Sequence, residues 1–297
     1  LAANVPMAYA SGFVMGTGGG ILESMSSALL TDLFPDRRKF YLNVSQVAYC
    51  AGAITAPALM GHLLPLGISW RWFFAGTACM AVIVALLFAY CGRPAVQSNK
   101  QNEKSNKKPG VPHGLTVIIP SLAIFIYVFC EMGTVTFLVI YLQTVLGAPE
   151  QWAIYSIPLF WLLMVLGRIA CAFLPEHHSY ENMIAFLLLM AGVMLALQHS
   201  IMDWRISIVC FSLSGLAFAG TWPLIVGMVA SRNPSSSGTA VGVTVAVGSL
   251  GCIVAPPVLG GLFAAGKSGI VFLGMGVLLF CAALAVFGLG WWSRCSH

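Results

Sequence analysis

Charge is what this sequence has least of. Only 8% of its 297 residues are Asp, Glu, Lys or Arg, against 59% hydrophobic residues, and the mean hydropathy is +0.90. So little charge cannot cover a folded surface in water, which excludes an ordinary soluble domain. The net charge of +5 has no clustered basic face behind it, and no nucleic-acid partner is expected. A CxxC pair is also missing: the nine cysteines lie almost all inside apolar stretches, where they read as small packing residues. No nucleophile, base and acid stand in a legible set, so enzyme activity is not expected. The N-terminus has no initiator Met, charged n-region or cleavage site, and Leu1 is expected to be a cut rather than the start of a signal peptide.

Apolar runs fill the space that charge leaves. Nine of them, at about 9–34, 40–64, 71–91, 115–142, 152–174, 181–200, 205–230, 238–264 and 269–292, are each long enough to cross roughly 30 Å of hydrocarbon as a helix. The expected class is an all-α, multi-pass protein of the plasma or inner membrane, with the lipid bilayer as its main partner. Because successive loops alternate sides, eleven of the fourteen Lys and Arg residues fall on one side and three on the other. Basic residues favour the cytoplasm, so the C-terminus is expected inside and Leu1 outside.

Against this background, polar residues inside the spans stand out. A carboxylate at mid-bilayer costs roughly 2.5–3.5 kcal/mol on insertion scales, so it must be paired, protonated or facing a wet cavity. Glu23 is such a residue, twelve positions before Pro35 and beside Gly20, Ser24, Ser27 and Thr31. Glu131 is the second, sharing a helix face with Tyr127 and Thr134. Each acid suits proton or polar-substrate handling, or else is a protonated group bonded to a neighbouring carbonyl for packing alone. Asn43 and Gln46, three apart, form an amide strip suited to hydroxyl groups, continued by Tyr49 and Cys50. Gly16, Gly18, Gly19 and Gly20 are expected to let another helix approach. At Gly167-Arg168 the arginine either snorkels to the inner surface or gates a pathway. Glu176, His177, His178 and Glu181 resemble a ligand cluster, but an exposed histidine pair is more often solvated; no metal and no organic cofactor are expected.

Sliding the chain by 199 residues exposes an internal repeat. Gly52-Ala-Ile-Thr-Ala-Pro57-Ala-Leu-Met-Gly61-His-Leu-Leu falls on Gly251-Cys-Ile-Val-Ala-Pro256-Pro-Val-Leu-Gly260-Gly-Leu-Phe with six identities, and Pro35 falls on Pro234. Residues 113–199 have no partner, so a complete two-fold repeat requires three more helices before Leu1. The only long polar stretch, 93–113, reads as a cytoplasmic linker. The expected organisation is 1–92 as the last three helices of an N-terminal six-helix half, 93–113 as the linker and 114–297 as the C-terminal half, giving nine of twelve helices.

Parallel six-helix repeats joined by a cytoplasmic linker describe the major facilitator superfamily. More narrowly, Gly20-Ile21-Leu22-Glu23, Leu42-Asn43-Val44-Ser45-Gln46, Tyr127-Val128-Phe129-Cys130-Glu131 and Gly167-Arg168 resemble the fucose–galactose–glucose:proton symporter family, over essentially the whole chain and in that family's helices 4 to 12. The resemblance implies that Glu23 takes part in proton coupling and substrate binding with an acid on helix 1, and that Gln46 binds sugar. Tyr49 stands where the fucose transporter has an amide, which argues against fucose itself.

The expected function is therefore secondary active transport of a monosaccharide, a hexose or deoxyhexose, with the proton as coupling ion and alternating access between two halves. Trp222 or Tyr127 would stack on the sugar ring, and Arg168 would gate. Two other readings stay open. A proton-coupled exporter of the same superfamily fits Gly52-x3-Ala56-Pro57, and a non-transporting receptor or scaffold would leave the cost of two mid-membrane acids unexplained.

Overall fold

Proline and glycine set where the helices stop. The structure is a computed structural model that describes residues 5–63, 66–91, 114–174 and 178–295. Its first helix, α1 (Val5–Leu33), ends at Phe34-Pro35, where proline brings no N–H to continue the ladder. One 3₁₀ turn, Pro35–Arg37, leads into α2 (Arg38–Leu63), and α3 (Trp70–Cys91) follows. Later come α4 (Gly114–Thr144), α5 (Glu150–Ala172), α6 (Tyr180–Leu197), α7 (Trp204–Phe218), α8 (Thr221–Arg232), α9 (Ser237–Ala264) and α10 (Ser268–Cys295). With α7 and α8 taken as one interrupted span, the boundaries agree with the nine predicted segments to within a few residues.

The 199-residue repeat is present in the backbone. Phe34, before the first 3₁₀ turn, has φ −127° and ψ 63°; Asn233, 199 residues on and before the turn Pro234–Ser236, has φ −126° and ψ 56°. Gly67 (φ 83°) and Gly266 (φ 71°), also 199 apart, take the left-handed conformation that lets a helix end in a tight reversal. At each, the following N–H reaches back five residues, Ile68 to Leu63 and Lys267 to Leu262.

Among the described residues, seven stretches are long and apolar enough to cross a membrane: Arg71–Tyr90, Gly114–Thr144, Glu150–Ala172, Tyr180–Leu197, Trp204–Arg232, Pro234–Ala264 and Ser268–Trp292. α1 and α2, at 29 and 26 residues, are long enough but less apolar. Glu23, Asn43 and Gln46, singled out above, are among the polar residues that dilute them.

By packing, the chain forms two units. One takes Leu1–Gly19 and Ala48–Lys107, the other Gly20–Val47 and Lys108–His297. The expected boundary at 93–113 lies outside the described residues. In the first unit the α3 side chains point outward, with Met80, Leu86 and Tyr90 exposed as on a lipid-facing helix. Two of its threonines return their hydroxyls to their own helix, Thr55 to the Ala51 carbonyl and Thr77 to the Phe73 carbonyl.

In the second unit α4 packs on α9, α6 on α10 and α5 on α7. Small residues set the spacing: a Cβ on Gly251 would lie 2.7 Å from the Phe125 carbonyl, and one on Gly276 2.7 Å from the Gly192 carbonyl. An aromatic cluster of Tyr141, Phe211 and Phe272 fills the end near Gln198, whose carbonyl accepts from the Tyr141 hydroxyl at 2.9 Å. A Cβ on Gly16, Gly18, Gly19 or Gly20 would meet nothing within 4 Å.

The break between α7 and α8 was not expected. Pro223 has no N–H for the Ala219 carbonyl, and the first bond of the new helix runs from the Leu224 N–H to the Gly220 carbonyl at 3.0 Å. Gly220 fits against Cys171, since a Cβ there would sit 2.5 Å from its sulfur.

Candidate functional site

The hairpin of α1 and α2 explains the central contact. Glu23 lies twelve residues before Pro35 and Gln46 eleven after it, so antiparallel helices place them at one depth, about 17 Å from the turn. The Gln46 Nε2 donates to Glu23 Oε1 at 2.7 Å. The same amide accepts on its other face: Arg168 of α5 donates from one terminal nitrogen to Gln46 Oε1 at 2.9 Å and to the Gln46 backbone carbonyl at 2.7 Å. An acid, an amide and a guanidinium thus form one chain across three helices.

Burial makes this chain consequential. Arg168 is 2% exposed, and no carboxylate pairs with it directly among the described residues. Its Nε has no partner. The snorkelling alternative for Arg168 is therefore corrected: the side chain turns inward to α2 instead of reaching an interface. Gly167 allows this, because a Cβ there would lie 2.6 Å from both the Leu216 carbonyl and the Ala219 Cβ, and only glycine lets α5 sit that close to the α7–α8 break.

A second acid lies close enough to the guanidinium to interact with it. Glu131 is 5% exposed, is hydrogen-bonded by the Tyr127 side chain and lies within electrostatic reach of Arg168. Tyr127 is 1% exposed and meets Phe218 edge-on, with ring centroids 5.6 Å apart. Thr134 is buried on the same face and returns its hydroxyl to the Cys130 carbonyl at 2.8 Å. Trp222, in the first turn of α8, approaches Gly248 of α9, and its indole nitrogen is buried without a partner.

Of the remaining sequence-predicted residues, Asn43 is fully buried; its Nδ2 donates to the Lys39 carbonyl at 2.8 Å, and its Oδ1 has no partner. Tyr49 is 54% exposed although Asn43 and Gln46 on its helix are buried. Glu176 and His177 lie outside the described residues. His178 contributes its backbone carbonyl, which accepts from Lys39 Nζ at 2.8 Å.

Sequence reasoning missed the charges at the Pro35 end of the hairpin. Lys39, next to Arg37 and Arg38 at the start of α2, is fully buried and stands 4.8 Å from the centre of the Tyr180 ring. Glu181, in the first turn of α6, is buried and forms a salt bridge with Arg232. The Ser237 hydroxyl donates to Asp32 Oδ1 at 3.2 Å. A signal was available for Lys39: it stands four residues before Asn43 and seven before Gln46, on the same helical face.

An all-helical membrane fold with an internal repeat, and with buried polar groups strung across its helices, defines a multi-pass carrier rather than an enzyme. The chain belongs to the Major Facilitator Superfamily, whose family model matches residues 1–256. Among its relatives is Protein TsgA of Salmonella paratyphi B, 22% identical over 289 residues that cover 95% of this chain and 71% of the relative. The fold is similar to the E. coli fucose:proton symporter FucP in a point-variant crystal structure. That match has a TM-score of 0.71 at 19% identity and covers 92% of this chain and 75% of the other. FucP in the outward conformation gives a TM-score of 0.70 at the same identity, over 92% and 74% of the two chains.

Proposed function

We propose that this chain carries most of a proton-coupled monosaccharide symporter that works by alternating access. The observation that carries the reading is the chain of Glu23, Gln46 and Arg168. A half-buried carboxylate touching a neutral amide, with a buried cation behind that amide, can take up or lose a proton without breaking a direct ion pair. The amide passes the change to the arginine, because Gln46 is donor to one and acceptor from the other.

In this reading Glu23 exchanges the proton, while Asn43 and Gln46 bond substrate hydroxyls. The unpartnered Asn43 Oδ1 supports a ligand there, since a buried acceptor left unsatisfied costs about 1–3 kcal/mol. Trp222 and Tyr127 offer aromatic faces for a sugar ring, Trp222 with a free N–H, and Arg168 couples the two acids and gates. The fold shared with a fucose:proton symporter agrees with this substrate class. The division into 1–92, 93–113 and 114–297, and a cytoplasmic linker and C-terminus, complete the proposal. No cofactor is required beyond the coupling proton.

The test is uptake by the full-length protein in proteoliposomes under an imposed proton gradient, with a panel of monosaccharides and with no sodium present. Accumulation of at least one monosaccharide that collapses with a protonophore is expected. Transport that requires sodium, or that runs only as export of apolar compounds, would overturn the reading.

A further inference from the structure

A fully buried lysine in the first turn of a helix needs an explanation. Lysine near a helix end ordinarily stretches its amine to water and is almost never fully buried unless paired. Lys39, in the first turn of α2, has no exposed surface; its Nζ donates to the His178 carbonyl at 2.8 Å and lies 4.8 Å from the Tyr180 ring centre. Tyr180 is itself seated, because a Cβ on Gly227 of α8 would come 3.0 Å from its ring and 3.4 Å from a methyl of Leu42 of α2. Glycine at 227 is what lets α2, the start of α6 and α8 close on one another here.

The position matters as much as the contact. Lys39, Asn43 and Gln46 form a column on one face of α2, with Lys39 at the end of the helix and Gln46 about 10 Å further in. Asn43, between them, is completely buried yet keeps an unpartnered Oδ1. It resembles an acceptor that meets water or substrate only when the lysine above it moves away. The salt bridge of Glu181 with Arg232 and the bond of Ser237 to Asp32 lie at the same end and close it further.

We infer that Lys39 and Tyr180 form a latch that closes the inner end of the pathway, and that the strength of their contact sets how often that end opens. The inference rests on the transporter reading, since a latch is needed only where a pathway opens. The lysine leaves the tyrosine face when the inner end opens, and its amine is then hydrated. Tyr180→Phe keeps a ring face for the cation; Tyr180→Leu removes it.

The test reads accessibility, not transport. In the full-length protein with its native cysteines replaced, Asn43→Cys is labelled by a membrane-impermeant maleimide in inside-out vesicles, without substrate. A cation–π contact of ordinary strength corresponds to roughly a 2- to 30-fold shift in the open population. Tyr180→Leu is expected to speed labelling by that range, while Tyr180→Phe stays within about twofold of the parent. Equal labelling in all three, or equal acceleration by both variants, would overturn the latch, as would labelling of the parent from the outer face only. Because no sugar or proton gradient enters the assay, failure of the monosaccharide reading leaves this result intact and separately visible.

Discussion

Replacing Gln46 by methionine keeps the length and apolar bulk of the side chain and removes both of its hydrogen bonds. On the arginine side, the guanidinium is 2% exposed and its Nε already lacks a partner, so water cannot take over the lost acceptor. A hydrogen bond to a charged group is worth about 1.5–3 kcal/mol, and the Gln46 carbonyl, 2.7 Å from the same nitrogen, survives the substitution. On the acid side Glu23 is half-buried, and in the wet cavity that the transport reading requires water replaces the amide at small cost. The expected loss is therefore about 2–3 kcal/mol, almost all of it from Arg168, a factor of roughly 30–150 in the equilibrium that the bond supports. Purified full-length protein should show this as a lowered thermal midpoint, and proton-driven uptake should fall with it. Gln46→Glu, which keeps an acceptor for Arg168, should recover most of the stability and little of the uptake. A methionine variant as stable and as active as the parent would show that the three-residue chain is incidental packing.

Glu131→Gln should lower proton-driven accumulation less than Glu23→Gln does, since family resemblance assigns coupling to acids of the N-terminal half; accumulation ratios under a fixed gradient compare the two, and equal loss would contradict that assignment. Gly167→Ala should cost about 1–3 kcal/mol, because its Cβ would fall 2.6 Å from the Leu216 carbonyl, whereas Gly238→Ala, with nothing within 4 Å, should change stability by less than about 0.5 kcal/mol. Thermal unfolding in detergent separates them, and equal behaviour would remove the close-packing role of Gly167. A cysteine at Ser105 should resist an impermeant label added to intact cells, and rapid labelling from outside would invert the proposed topology.

How much of this was legible beforehand depends on the range of each interaction. The spans follow from apolar runs alone, and the 199-residue repeat was visible in Gly52–Leu64 and returns as matched dihedrals at Phe34 and Asn233. The Glu23–Gln46 bond was within reach, because two residues equidistant from a helical turn face each other. Arg168 was flagged as a motif, but nothing in the sequence says that it bonds to a residue 122 positions away. The α7–α8 break had its own signal in Gly220-Thr-Trp-Pro223, which periodicity masked because the apolar run continues through it. Nothing local marks Lys39 or Glu181 for burial, since a charge beside a helix end is ordinarily solvated. Their burial comes from tertiary closure around Tyr180, Gly227 and Gly290, where a Cβ would lie 2.8 Å from Glu181.

The most direct test of the account is Glu23→Gln in the full-length protein, assayed twice in the same proteoliposomes. Glutamine keeps the shape and the acceptor oxygen that Gln46 Nε2 meets, but it cannot change charge. Uphill accumulation under a proton gradient should disappear, while counterflow, which needs binding and alternating access but no net proton movement, should persist at a measurable rate. Accumulation that survives the substitution with its proton dependence intact would contradict the central claim that Glu23 couples the proton to transport.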